Sequence, residues 1–145
     1  MRERDAFEAF VWVVTAATVL LWRSPEARAP GLPPFLAVCI AGQLATIVGL
    51  RTGADEFVRV GHVCFSASLW VGALLARGRT LALVGLLAAV AVATRWGLGH
   101  CMFSAARGSE DTNDRAYDLF YLFPLFLAAS RLASDFANAS QLPNK

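Results

Sequence analysis

Residues Val60–Trp96 read VGHVCFSASLWVGALLARGRTLALVGLLAAVAVATRW, two long apolar runs joined only by Arg77-Gly78-Arg79. Neither run shows the strict alternation of a barrel strand, so both are read as helices. A link of three residues leaves the second helix no choice but to turn back along the first. This stretch is therefore an antiparallel helical hairpin, and a soluble core of ordinary composition would not need two such runs side by side.

Three similar runs lie outside the hairpin. The spans are read as Ala6–Trp22, Pro34–Leu50, Val60–Ala76, Thr80–Trp96 and Ala116–Ser134. Ser24-Pro25 and Pro30-Gly31-Leu32-Pro33-Pro34 break the chain after the first, and Arg51-Thr52-Gly53-Ala54-Asp55 breaks it after the second. Each run is slightly short of the ~20 residues that cross a ~30 Å hydrocarbon layer. Flanking Arg and Trp side chains, such as Arg23, Arg51, Arg77, Trp22 and Trp96, are suited to reach back to a head-group layer.

The expected fold class is thus all-α, an integral membrane helical bundle of five transmembrane helices forming a single domain over residues 1–145. The fifth run is the least regular, because Asp118 and Arg131 bracket only 12 uncharged residues and Pro124 interrupts them. Four spans plus an interfacial C-terminal helix is the alternative. Composition agrees with lipid as the solvent: of 145 residues 57% are hydrophobic and 17% charged, with a mean hydropathy of +0.51. Soluble domains are about a quarter charged. A net charge of +2 without any basic block excludes a nucleic-acid partner.

The N-terminal run imitates a signal peptide ending at Ala27-Arg28-Ala29, but Glu3, Asp5 and Glu8 stand where that region should be basic, and Pro30 would follow the cut. A first span is expected instead. Five spans put the N-terminus and the loops 51–59 and 97–115 on one side, here side A, and the other loops and the tail on side B. Side A then holds two more acids than bases, and side B four more bases than acids. Lys and Arg alone number seven against six, which decides little, and the acid-poor loops place side B inside. Asn138-Ala139-Ser140, on side B, matches a glycosylation sequon.

Candidate chemistry gathers near side A. Glu8, His62, Arg95, His100 and Asp118 come from four of the five helices and one loop edge at a common level, and ionisable groups in spans are costly unless paired or wet. Each also lies close to an interface, where snorkelling gives a plainer account. No His-x-x-x-His, Glu-x-x-His or Cys-x-x-Cys spacing is present, so no metal site and no cofactor is assigned. Cys39, Cys64 and Cys101 are too scattered for a redox pair, and Cys101 lies between His100 and Met102 at a membrane edge.

On the second helix Cys39, Gln43 and Thr46 form a polar intramembrane stripe, with Thr15, Ser66 or Ser68 as partners for Gln43. Gly85, Ala89 and Ala93 on the fourth helix, and Ala41, Ala45 and Gly49 on the second, recur every four residues as packing seams. Two seams exceed what a five-helix bundle needs, which reserves one for other membrane subunits or a second copy. The only lysine is Lys145, which excludes a retinal Schiff base inside a helix, and no TVGYG filter is present.

The leading expectation is a small polytopic membrane protein acting by association, an accessory or structural subunit of a larger membrane complex. A homo-oligomeric channel or carrier for a small solute is the alternative, supported by the Gln43 stripe and the side A group. A membrane-embedded enzyme or cofactor-binding protein comes third, since no catalytic residue can be named.

Overall fold

The helices run past the apolar stretches at seven of their ten ends. The structure, a computed structural model, describes residues 3–99, 101, 103 and 116–140. Among the described residues it contains α1 (Glu3–Trp22), a 3₁₀ turn (Pro25–Arg28), α2 (Leu32–Thr52), α3 (Asp55–Leu75), α4 (Gly78–Leu98) and α5 (Ala116–Ser140), and no strand. Each α-helix has 20 to 25 residues. At 1.5 Å per residue that is about 30 Å or more, so polar end turns supply the length the apolar runs lacked. All five are long and apolar enough to cross a membrane.

Local chemistry sets the helix ends. Pro33 and Pro34 fall in the first turn of α2, where backbone N–H groups have no intrahelical acceptor and proline loses nothing. Gly53 ends α2 and Gly99 ends α4, both with φ near +74°, a conformation in which any other residue would be strained. Asp55 and Glu56 occupy the first turn of α3, where their charge opposes the helix dipole. That polar turn explains why α3 begins five residues before the apolar run at Val60.

Neighbour contacts fix the topology. Glu8 meets Arg51 and Thr18 meets Gln43, so α1 and α2 are antiparallel. Gly42 lies against Cys64 and Gly49 against Val58, giving the same relation between α2 and α3. The Ala76-Arg77 link turns α4 back, and Gly72 packs on Val84. α5 runs parallel to α3, with Tyr121 beside His62 and Arg131 beside Ala73. It therefore accompanies the bundle over its full length, and an interfacial orientation does not describe it.

Two larger apolar cores result, beside a small one of Ala27, Leu32 and Leu36 at the 3₁₀ turn. One joins α3, α4 and α5 around Leu69, Leu81, Val84 and Ala128; the other joins α1, α2 and α3 around Phe7, Val11, Ile47 and Leu50, together with Phe103. The outside is apolar as well: Val13, Leu20, Val63, Leu86 and Phe126 are each more than 60% exposed. An outward layer of this kind suits lipid. Five helices put Glu3 and Ser140 at opposite ends of the bundle, so reporters fused to the two termini are expected in different compartments. Both reporters in one compartment would rule out five crossings.

Candidate functional site

The side A half of the bundle holds a partly open chamber of about 40 Å³, room for two or three water-sized groups. One face of α1 supplies Phe7, Phe10, Val11 and Val14, spaced at i, i+3, i+4 and i+7, and α4 faces it with Val90, Ala91, Thr94 and Arg95. Gln43 and Thr46 of α2, Gly61 and Phe65 of α3, and Tyr121 of α5 complete the walls. Cys101 and Phe103, from the segment after α4, close the side A end.

Phe103 anchors that closure. It is 6% exposed, stacks on the His62 ring with centroids 4.7 Å apart, and meets the Phe7 ring edge-on at 4.8 Å. Aromatic contacts of this geometry add about 0.5–1.5 kcal/mol beyond area burial. Cys101 is held beside the same imidazole, with Sγ 3.7 Å from His62 Nε2. An imidazole so placed can take a thiol proton.

Tyr121 is the polar centre of the side A end. Its hydroxyl lies 3.1 Å from His62 Nε2 and 3.1 Å from Ser66 Oγ. A hydroxyl between two such groups donates to one and accepts from the other, which makes a short chain along which a proton can be redistributed. Arg95 is only 8% exposed although charged, and lines the chamber from α4.

Deeper in, the Gln43 amide is half satisfied. Nε2 donates to Thr18 Oγ1 at 3.2 Å, Thr18 donates to the Val14 carbonyl, and Oε1 is buried with no hydrogen-bond partner among the described residues. Turning the amide over would exchange which end is orphaned without satisfying both. An unmatched amide end in an apolar setting costs about 1–3 kcal/mol.

The groups singled out in the sequence divide as follows. His62 and Arg95 belong to the chamber, the first through Tyr121. Glu8 faces outward, where it accepts from Arg51 Nε at 2.7 Å and Trp12 Nε1 at 3.3 Å, with the Arg51 guanidinium 5.5 Å from the Trp12 ring. Asp118 lies in α5 one turn before Tyr121, but its side chain, like all of His100, falls outside the described residues. The stripe on α2 splits: Cys39 donates to Ser68 Oγ at 3.2 Å, Gln43 turns to α1, and Thr46 donates to its own helix at Gly42. Among the described residues no three His, Cys, Asp or Glu side chains come close enough to share a metal ion.

The seam on α4 is used in part. Gly85 faces α5, where a Cβ would lie 3.5 Å from Ala128, whereas Ala89 is half-buried and Ala93 is exposed. The tighter crossing is between α2 and α3, at Gly42, Gly49 and Gly61. Of this crossing the sequence reading named Gly49, in its Ala41, Ala45 and Gly49 seam, but missed Gly42 and Gly61, along with Tyr121, Phe103 and Thr18. Gly42 and Gly49, seven residues apart on one face, were the available signal. Comparison of the chain with protein-family models, curated proteins and solved structures finds no match.

Proposed function

We propose that this is a multi-pass membrane protein that takes a small hydrogen-bonding molecule into the side A chamber, within the solute channel or carrier class. The observation that carries the reading is a chamber walled mostly by Phe, Val and Ala whose lining includes Gln43, a residue with one amide end buried and lacking a hydrogen-bond partner among the described residues. A guest that completes this bond gains an interaction the protein lacks on its own. Toward side B the core between α3, α4 and α5 is packed, with Leu69, Ala73, Ala76, Leu81 and Ala88 each at most 1% exposed. On this reading a guest enters from side A past Cys101 and Phe103, and passage to side B requires a rearrangement of α3 against α4 and α5.

Proteoliposomes given urea, formamide and methylammonium gradients test this. Entry of at least one solute should exceed that into empty vesicles. Gln43→Leu should slow it about tenfold, the equivalent of roughly 1.4 kcal/mol for one lost hydrogen bond, while an outward substitution, Leu86→Ala, should leave the rate unchanged. Identical rates for protein-bearing and empty vesicles across the series would remove the solute reading. Association with other membrane subunits or a second copy would then stand as the function, favoured by the exposure of Ala41 and Ala93 on outward helix faces.

A further inference from the structure

The opposite end of the bundle carries a second, larger cavity, of about 600 Å³. It lies between the 3₁₀ turn, the last turn of α3, the first turn of α4 and Arg131 of α5, and its lining includes Glu26, Leu74, Leu75, Arg77 and Arg131. We propose that this groove is a binding site for one anionic phospholipid, with the phosphate on Arg77 and Arg131 and the glycerol and first acyl carbons along Leu74 and Leu75. The proposal rests on the reading of the five helices as membrane spans and is independent of the side A chamber.

Charge and shape both argue for this occupant. Arg131 is fixed through Nη1, which donates to the Ala73 carbonyl at 2.5 Å and the Leu74 carbonyl at 2.8 Å, while its other nitrogens have no partner among the described residues. A guanidinium tethered by one nitrogen keeps its remaining donors in a planar fork suited to phosphate oxygens. Arg77 is exposed and has no ion-pair partner among the described residues.

The one acid in the groove is already engaged. Glu26 accepts the Arg79 backbone N–H at 3.1 Å at the start of α4 and lies 3.9 Å from Arg79 Nε. Its charge is thus set against a helix N-terminus and a third arginine. Leu74 and Leu75 are 58% and 62% exposed at the same level, an apolar flank beside the cations. Free phosphate has no use for that flank. A volume of this size falls within the ~300–1,000 Å³ typical of ligand sites.

The test uses the full chain purified in mild detergent, with retained lipid read by native mass spectrometry after exposure to equal phosphatidylglycerol and phosphatidylcholine. One phosphatidylglycerol should be retained in clear preference. Arg77→Gln should reduce that retention about fivefold, as expected for one arginine at an anionic surface, and Leu75→Asn should reduce it while leaving any inorganic phosphate binding unchanged. Arg131→Gln also uncaps α3, so the exposed Arg77 carries the test. Equal retention of the two lipids, or no change in Arg77→Gln, would overturn the site. Displacement of the lipid by inorganic phosphate at matching concentration would assign the groove to the free ion and overturn the lipid proposal. A chain that washes off vesicles in alkaline carbonate would instead refute the membrane reading itself.

Discussion

Gly61→Leu is expected to separate α2 from α3 and leave little folded protein. Even a Cβ at position 61 would overlap Thr46 Oγ1 and stand 3.0 Å from the Gly42 carbonyl oxygen. Thr46 cannot swing aside freely, because its hydroxyl donates to Gly42 at 2.9 Å and the residue is 1% exposed. The carbonyl is backbone and has no rotamer to change. Overpacking a tight core usually costs about 1–3 kcal/mol, and a bulky side chain against backbone belongs at or above the top of that range. Lipid-facing helices gain little from hiding apolar surface against one another, so close approach is what holds such a pair together. Unfolding of the purified variant in graded denaturing detergent should show the loss, with Gly61→Ala intermediate. Wild-type stability for Gly61→Leu would mean that the two helices do not cross at this point.

Arg131→Met should be the next most damaging change, by about 1–3 kcal/mol. The carbonyls at the end of α3 have no N–H donors within the helix, and Arg131 donates to two of them. Methionine keeps most of the apolar stem and removes both bonds. Damage should concentrate at the α3–α4 turn, so limited proteolysis near Ala76-Arg77 should accelerate more than cleavage elsewhere. A variant within about 0.5 kcal/mol of wild type, the range of ordinary surface changes, would show that the cap contributes nothing.

Much of the architecture was legible because hydropathy reports directly on segments that avoid water. The Arg77-Gly78-Arg79 link disclosed the hairpin, and the turn residues disclosed the other breaks. Hydropathy does not see polar end turns, which is why Asp55–Arg59 was read as loop although its acids suit a helix start. Nor does it give the rotation of each helix about its axis. When lipid and protein interior are equally apolar, a Val facing outward and a Val facing inward look alike; Val13 is 68% exposed and Val14 7%. Glu8 and Arg95 illustrate the same limit for charge. Both stood out as ionisable groups in spans, yet one meets Arg51 on the outer surface and the other lines the chamber. Tyr121 escaped notice because its partners, His62 and Ser66, lie 59 and 55 residues earlier in the chain.

The caps at side B also impose an order of events on biosynthesis. The hairpin of α3 and α4 has its two side B helix ends completed from outside: Glu26, made 53 residues before Arg79, meets the start of α4, and Arg131, made 58 residues after Ala73, meets the end of α3. When the ribosome has delivered four helices, the first closure is available and the second is not. Two carbonyls at the end of α3 must then be served by water or head groups until the last helix arrives. A nascent chain stalled before residue 131 should accordingly remain open to protease at the α3–α4 turn, and release of the final helix should be the step that locks it.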